Sequence, residues 1–186
     1  MSTTTERRLF YWERQSNQGI IRKGGELAAL RRGINAAPGT TPSMWPFYVT
    51  SDEGPRLDAE HYALALFAIH QQSKDRLVHK PGVSLGASIR QLHARYSEDA
   101  VDRRFFAAVT APELGEVVQH LRGLIQQLRS ISASAPFDYT RLVWDLSVWH
   151  VPEKRQGVQR RWGLRYHAGD RGAHEMTTDQ PREGDQ

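Results

Sequence analysis

The chain contains no cysteine, which removes disulfides, thiol nucleophiles, iron–sulfur clusters and cysteine-ligated zinc together. Long apolar runs are also missing. The longest uncharged one, Tyr62 to Ile69, is eight residues, against about 20 needed to span a bilayer. It reads as a buried helix segment, and no membrane partner is expected. Residues Met1 to Arg8 are polar with no apolar stretch behind them, which predicts no secretory leader and a cytoplasmic location. Lysine is scarce: of 25 basic residues four are lysine (Lys23, Lys74, Lys80 and Lys154) and 21 are arginine.

What is present is an ordinary globular balance, 39% hydrophobic and 25% charged over 186 residues. That suits one domain or two small lobes sharing a core. The net charge is +4, but the segment from Asp170 to Gln186 carries −3, so the body before it carries +7. Arginine's planar fork binds phosphate bidentately and stacks on bases, so an arginine-rich body favours polyanions. A genome rich in G and C produces the same excess through codon choice, and composition leaves both readings open.

The apolar spacing is helical almost throughout, with no sustained alternation of the kind strands need. Helices are expected at Glu6 to Gln15, at Glu26 to Arg32 (closed by Gly33), and from Pro55 to about Ser73 with Asp58 as the cap. Asn35 to Glu53, with Pro38, Pro42 and Pro46, is an irregular crossing with one helical turn around Trp45. Ser84 to Arg95 and Asp99 to Val109 follow. Leu114, Val117, Val118, Leu121, Leu124, Ile125, Leu128 and Ile131 then keep a 3–4 spacing over five turns. Asp138 caps Tyr139 to Trp149, and Glu153 to Tyr166 is the last helix. The fold class is all-α, a compact bundle of about eight to nine helices, as one body or two lobes around a common core. The domain spans residues 1–168, and the acidic tail 169–186 is expected to be disordered.

Catalytic patterns are missing: no G-x-x-x-x-G-K-[ST], G-x-S-x-G or H-E-x-x-H occurs. No two of the eight histidines fall at i, i+3 or i, i+4, so no metal or other cofactor is expected. The stretch Gly82 to Gly86 could cradle a phosphate on the helix after it, but lacks a Lys or Ser/Thr at the expected offset. Glu98, Asp99 and Asp102 would suit a metal-dependent nuclease. They equally suit a helix start, where acids oppose the dipole and Asp99 can pair with Arg103.

The basic residues are better organised. On the last helix Lys154, Arg161 and Arg165 fall within about 40° of one stripe, beside an aromatic face of Val158, Trp162 and Tyr166. Arg155 points towards that face, and Arg122 and Arg129 flank the apolar seam of the long helix. Arg31-Arg32 and Arg103-Arg104 are doublets on amphipathic helices. Arginines at the edges of several apolar seams favour a continuous basic groove. Trp144, Trp149 and Trp162 read as core residues, while Trp12 and Trp45 stay open between packing and base stacking.

The ordered set Leu30-Arg31-Arg32, the Pro42 to Pro46 crossing, Val83-Ser84-Leu85-Gly86, Asp102 to Phe106 (DRRFF), His120-Leu121-Arg122, Asp138-Tyr139, Asp145-Leu146, Trp149, Arg161-Trp162 and Tyr166 resembles one family. It is CasB, the small subunit of the type I-E Cascade complex of CRISPR immunity, and the likeness covers the chain to about His167. The resemblance implies a helical, two-lobed, non-enzymatic subunit present in two copies beside other Cascade subunits. It would contact guide RNA and the target and displaced DNA strands without reading sequence, in antiviral defence. Matching positions put forward Arg31, Arg32, Arg103, Arg104, Arg122, Lys154 and Arg155 as the contact set, and the stripe geometry adds Arg161. The competing reading is a helical adaptor that binds only protein, its arginines pairing with acidic partners.

Overall fold

A computed structural model describes residues 8–15, 19, 23–131 and 135–177, with backbone alone from 169. The described α-helices are α1 (Gly24–Arg32), α2 (Pro55–Gln71), α3 (Leu85–Arg90), α4 (Glu98–Thr110), α5 (Leu114–Ser130), α6 (Tyr139–Ser147) and α7 (Pro152–Thr177). Short 3₁₀ turns occupy Gly33–Asn35, Pro42–Phe47 and Gln91–Ala94. No strand is present among the described residues. One parallel bridge, His79 with Phe137, pins the α2–α3 loop to the approach to α6. The fold is all-α, as the periodicity predicts.

Helix α2 forms the axis of the core. From Ala59 to Gln71 every residue except Tyr62 is buried, because α1, α5 and α6 all pack on it. That explains its uncharged run without any membrane: among the described residues no helix is long and apolar enough to cross one. Two of the polar groups drawn inside make defined bonds. The Glu60 carboxylate accepts from the Val49 and Thr50 amides at 2.6 and 2.8 Å and fixes the proline-rich crossing. His61 reaches the Gly33 carbonyl at 2.8 Å. Gly33 itself leaves room for Met44, since a Cβ there would lie 2.1 Å from the Met44 Sδ.

Several boundaries differ from expectation. Over the described residues 8–15 the first element is a single turn, with the Glu13 and Arg14 amides on the Phe10 carbonyl. Phe10, Tyr11 and Trp12 are all buried. Three consecutive buried aromatics cannot share one helix face, so the turn sets Tyr11 and Trp12 against Phe67, Trp12 also against Tyr139, and stacks Phe10 on Trp12. Pro55 opens α2 behind Gly54, which has φ 133°, so Asp58 sits in the first turn and does not cap it. The helix expected over Ser84 to Arg95 is cut at Arg90 into α3 and a 3₁₀ turn. Helix α7 is assigned to Thr177, past the expected end at Tyr166. The remainder of the acidic tail, 178–186, lies outside the described residues.

Candidate nucleic-acid interface

The contacts distribute the eight candidate cations over three places. In the first, Arg122 on α5 donates from Nη1 to Asn35 Oδ1 at 2.8 Å. Asn35 ends the 3₁₀ turn that directly follows Arg31 and Arg32, so this bond ties α5 to the turn that ends α1. Arg32 is exposed and Arg31 half-buried. In the second, Arg103 and Arg104 stand exposed on α4, opposite the face that buries Val101, Phe105 and Ala108. The ion pair expected between Asp99 and Arg103 does not form: no Asp99–Arg103 contact falls within ion-pair distance among the described residues. Asp102 turns inward instead, accepting from the Tyr166 hydroxyl at 2.5 Å and lying 3.0 Å from His93 Nε2. Glu98 lies 3.6 Å from His93 Nδ1. The acidic cluster thereby ties α4 to α7, and no group of three histidines or acids among the described residues is arranged to hold a metal.

The third place is α7. Lys154 is exposed at its start. Arg155, expected to point towards the aromatic face and contact nucleic acid, is spent on structure: it donates to the Pro112 carbonyl at 2.6 Å and lies 3.5 Å from that of Trp149. Arg161 is also drawn inward, to the buried carboxylate of Asp145. That carboxylate accepts from Arg141 Nε at 2.9 Å and from the Trp162 indole at 2.8 Å as well. Burial raises the Asp145 carboxyl above the ordinary range, against the pull of the indole bond and both guanidiniums.

Around this junction lies a recess of about 300 Å³ between the start of α3 and the facing sides of α6 and α7. Arg141 and Arg165 stand on its rim, and both are outside the eight residues put forward from sequence. Arg165 lies on the α7 stripe but matches no family position. Arg141 carries a legible signal, its i, i+4 spacing to Asp145. The phosphate cradle considered at Gly82 to Gly86 is not what the glycines are for. The Gly82 amide donates to Asp138 Oδ2 at 2.9 Å. Gly86 makes room for α7, because a Cβ there would sit 2.3 Å from the Trp162 carbonyl oxygen.

Of the tryptophans, Trp149 and Trp162 pack together in the core as expected, and Trp12 is also buried. Trp144 is not core: it is 45% exposed, with the Arg56 guanidinium 4.4 Å from its ring centre. Trp45 is also exposed, its indole held on the Gly39 carbonyl at 2.8 Å.

These features define a class: an all-α protein with guanidiniums displayed on several helices around an aromatic core. Residues 26–167 match the family model described as CRISPR-associated protein Cse2. The chain therefore belongs to the Cse2 family, also named CasB, the small subunit of Cascade, and other Cascade components are its partners. Among solved structures it is similar to CasB from Thermobifida fusca, at 29% identity and TM-score 0.63, over 79% of this chain and 86% of that one. It is likewise similar to CasB from M. ruber, at 25% identity and TM-score 0.63, over 89% and 99%. A Cse2-family protein from Thermus thermophilus shares the fold at 24% identity and TM-score 0.61, over 86% and 99%. Comparison with curated proteins gives no match.

Proposed function

We propose that this subunit is a non-catalytic clamp for nucleic acid within Cascade. Two copies would hold guide RNA and the target and displaced DNA strands through sequence-independent backbone contacts and so stabilise the R-loop. The contact residues are Arg31 and Arg32 on α1, Arg122 on α5, Arg103 and Arg104 on α4, and Lys154 and Arg161 on α7. Arg155 acts behind them as a positioning residue.

The observation that carries this reading is the unspent charge. Arg31, Arg32, Arg103, Arg104 and Lys154 make no ion pair or side-chain hydrogen bond among the described residues. The acids Glu26, on the surface, and Asp145, buried, pair with their own local cations. A body of charge +7 that leaves these five cations unpaired has donors available for phosphate. The test is the salt dependence of strand retention by the assembled complex, with and without this subunit. Seven phosphate contacts at about −0.7 each give a log–log slope of about −5 for the subunit's share. A flat response sinks the clamp and favours the protein-only adaptor.

A further inference from the structure

The recess between α3, α6 and α7 has an apolar floor and a guanidinium rim, and its acids are already committed. Both Asp138 oxygens are taken, by the Arg141 and Gly82 amides at 2.9 Å each. Asp145 is held by Arg141, Arg161 and the Trp162 indole. The cations keep donors to spare. Arg141 uses only Nε, and Arg165 is exposed with no partner among the described residues. The Arg161 Nε is buried and makes no hydrogen bond. Leu85, Leu142 and Trp162 supply the floor.

Resting on the clamp reading above, the geometry points to this recess as a site for one unstacked nucleotide of a single strand, its base on the apolar floor and its phosphate on Arg141 and Arg165. The volume, about 300 Å³, is at the small end of ligand cavities; it takes one base and excludes a duplex. The Asp145 carboxylate pins the Arg141 guanidinium by its Nε edge, leaving Nη1 and Nη2 for an anion and the plane for a base. An acidic peptide is the poorer occupant. It would need backbone partners, and the amide of Gly82 at the recess is already donated to Asp138.

The experiment compares binding of the full chain, at low salt, to a fluorescent oligothymidylate and to the abasic oligomer of equal phosphate number. The base-bearing strand is expected to bind about tenfold tighter, the increment of one lodged base. Ser84→Phe, which plugs the recess, brings the two affinities together. Ser84 makes no side-chain cap bond, so this costs the helix start nothing. Arg165→Gln weakens both strands alike. Independently of any variant, a 4-thiothymidine strand crosslinks at residues 82–85, 138–145 or 161–165, the segments that line the recess, on illumination. Equal affinity for the two strands, a ratio that Ser84→Phe leaves intact, or crosslinks confined elsewhere overturns the nucleotide site while the clamp stands. If neither strand is retained, the nucleotide site falls and the clamp is judged by the salt dependence of the assembled complex; an acidic peptide bound in their place speaks for the protein-only adaptor.

Discussion

Gly86 on α3 lies directly beneath the carbonyl of Trp162 on α7: a Cβ built on the glycine falls 2.3 Å from that oxygen and 3.0 Å from the Tyr166 amide. Both neighbours are backbone, which cannot swing aside as a side chain does. Gly86→Ala must therefore push apart a pair of helices whose mutual packing is the most extensive in the fold. Overpacking of this kind costs about 3 kcal/mol, to be read as a lowered urea midpoint. Gly157, on the same α7 with nothing near its Cβ position, is the control. Gly157→Ala should stabilise by up to about 1 kcal/mol, the helix-propensity gain.

The Asp145 carboxylate gives a second prediction. It is buried and holds α6 to α7 through Arg161 and Trp162. Asp145→Ala strands the buried indole N–H and removes the counter-charge of a pair of part-exposed arginines, at a cost of about 3 kcal/mol. Because burial raises this carboxyl, a neutral group is tolerated there. Asp145→Asn keeps an acceptor for the indole and should cost clearly less than the alanine. Equal losses in thermal or denaturant melts would contradict that account.

How far the sequence could be read depends on whether local pattern or distant contact decided each position. Helix α5 was fully legible, because Val117, Val118, Leu121, Leu124, Ile125 and Leu128 are both its apolar stripe and its buried face. Helix α6 was legible in extent but not in which side chain it buries. Trp144 reads as core, and the fold exposes it and buries its neighbour Asp145. Arg161 and Trp162 on another helix receive the carboxylate, while Arg56, 88 positions away, covers the exposed indole. The aromatic insert at Phe10 to Trp12 has the same cause, since its neighbours Phe67 and Tyr139 are remote in sequence. Among the candidate arginines, the sequence located the exposed doublets but could not show that Arg155 and Arg161 are committed to carbonyl and carboxylate partners.

Acid sensitivity follows from two buried histidines. The Tyr139 amide donates to His79 Nδ1 at 3.1 Å, so that nitrogen cannot take a proton without losing the bond. His61 lies 2.6 Å from the Tyr48 hydroxyl at Nδ1 and 2.8 Å from the Gly33 carbonyl at Nε2, a pattern met by the neutral Nε2–H ring. Burial lowers the pKa of both. The unfolded chain then binds more protons below the ordinary imidazole value of about 6.5. The stability these rings contribute is fully present above that value. It is lost as pH falls from there through their lowered folded values, by at most about 1.4 kcal/mol per pH unit for each ring. The melting temperature should drop between about pH 7 and 5, and His79→Gln or His61→Gln should flatten that drop. A melt independent of pH over this range would refute it.

The last prediction separates arginines that build the fold from those offered to phosphate. Arg155 bonds the Pro112 carbonyl at the corner between α4 and α5, and Gln159 bonds that of Val109 one turn away. Together they seat the start of α7. Arg155→Ala leaves the Pro112 carbonyl without its donor and should cost about 1 kcal/mol of stability, with only a small effect on strand binding. Arg103 and Arg104 have no such partners and stand in solvent. Arg103→Glu with Arg104→Glu should leave the stability within about 0.5 kcal/mol of the parent in thermal melts. The same pair should weaken retention of every strand sequence alike and make the salt slope shallower by about 1.4. Loss confined to particular bases would contradict backbone contact. Loss of stability in the double variant would mean that α4 uses these guanidiniums for folding, as α7 uses Arg155.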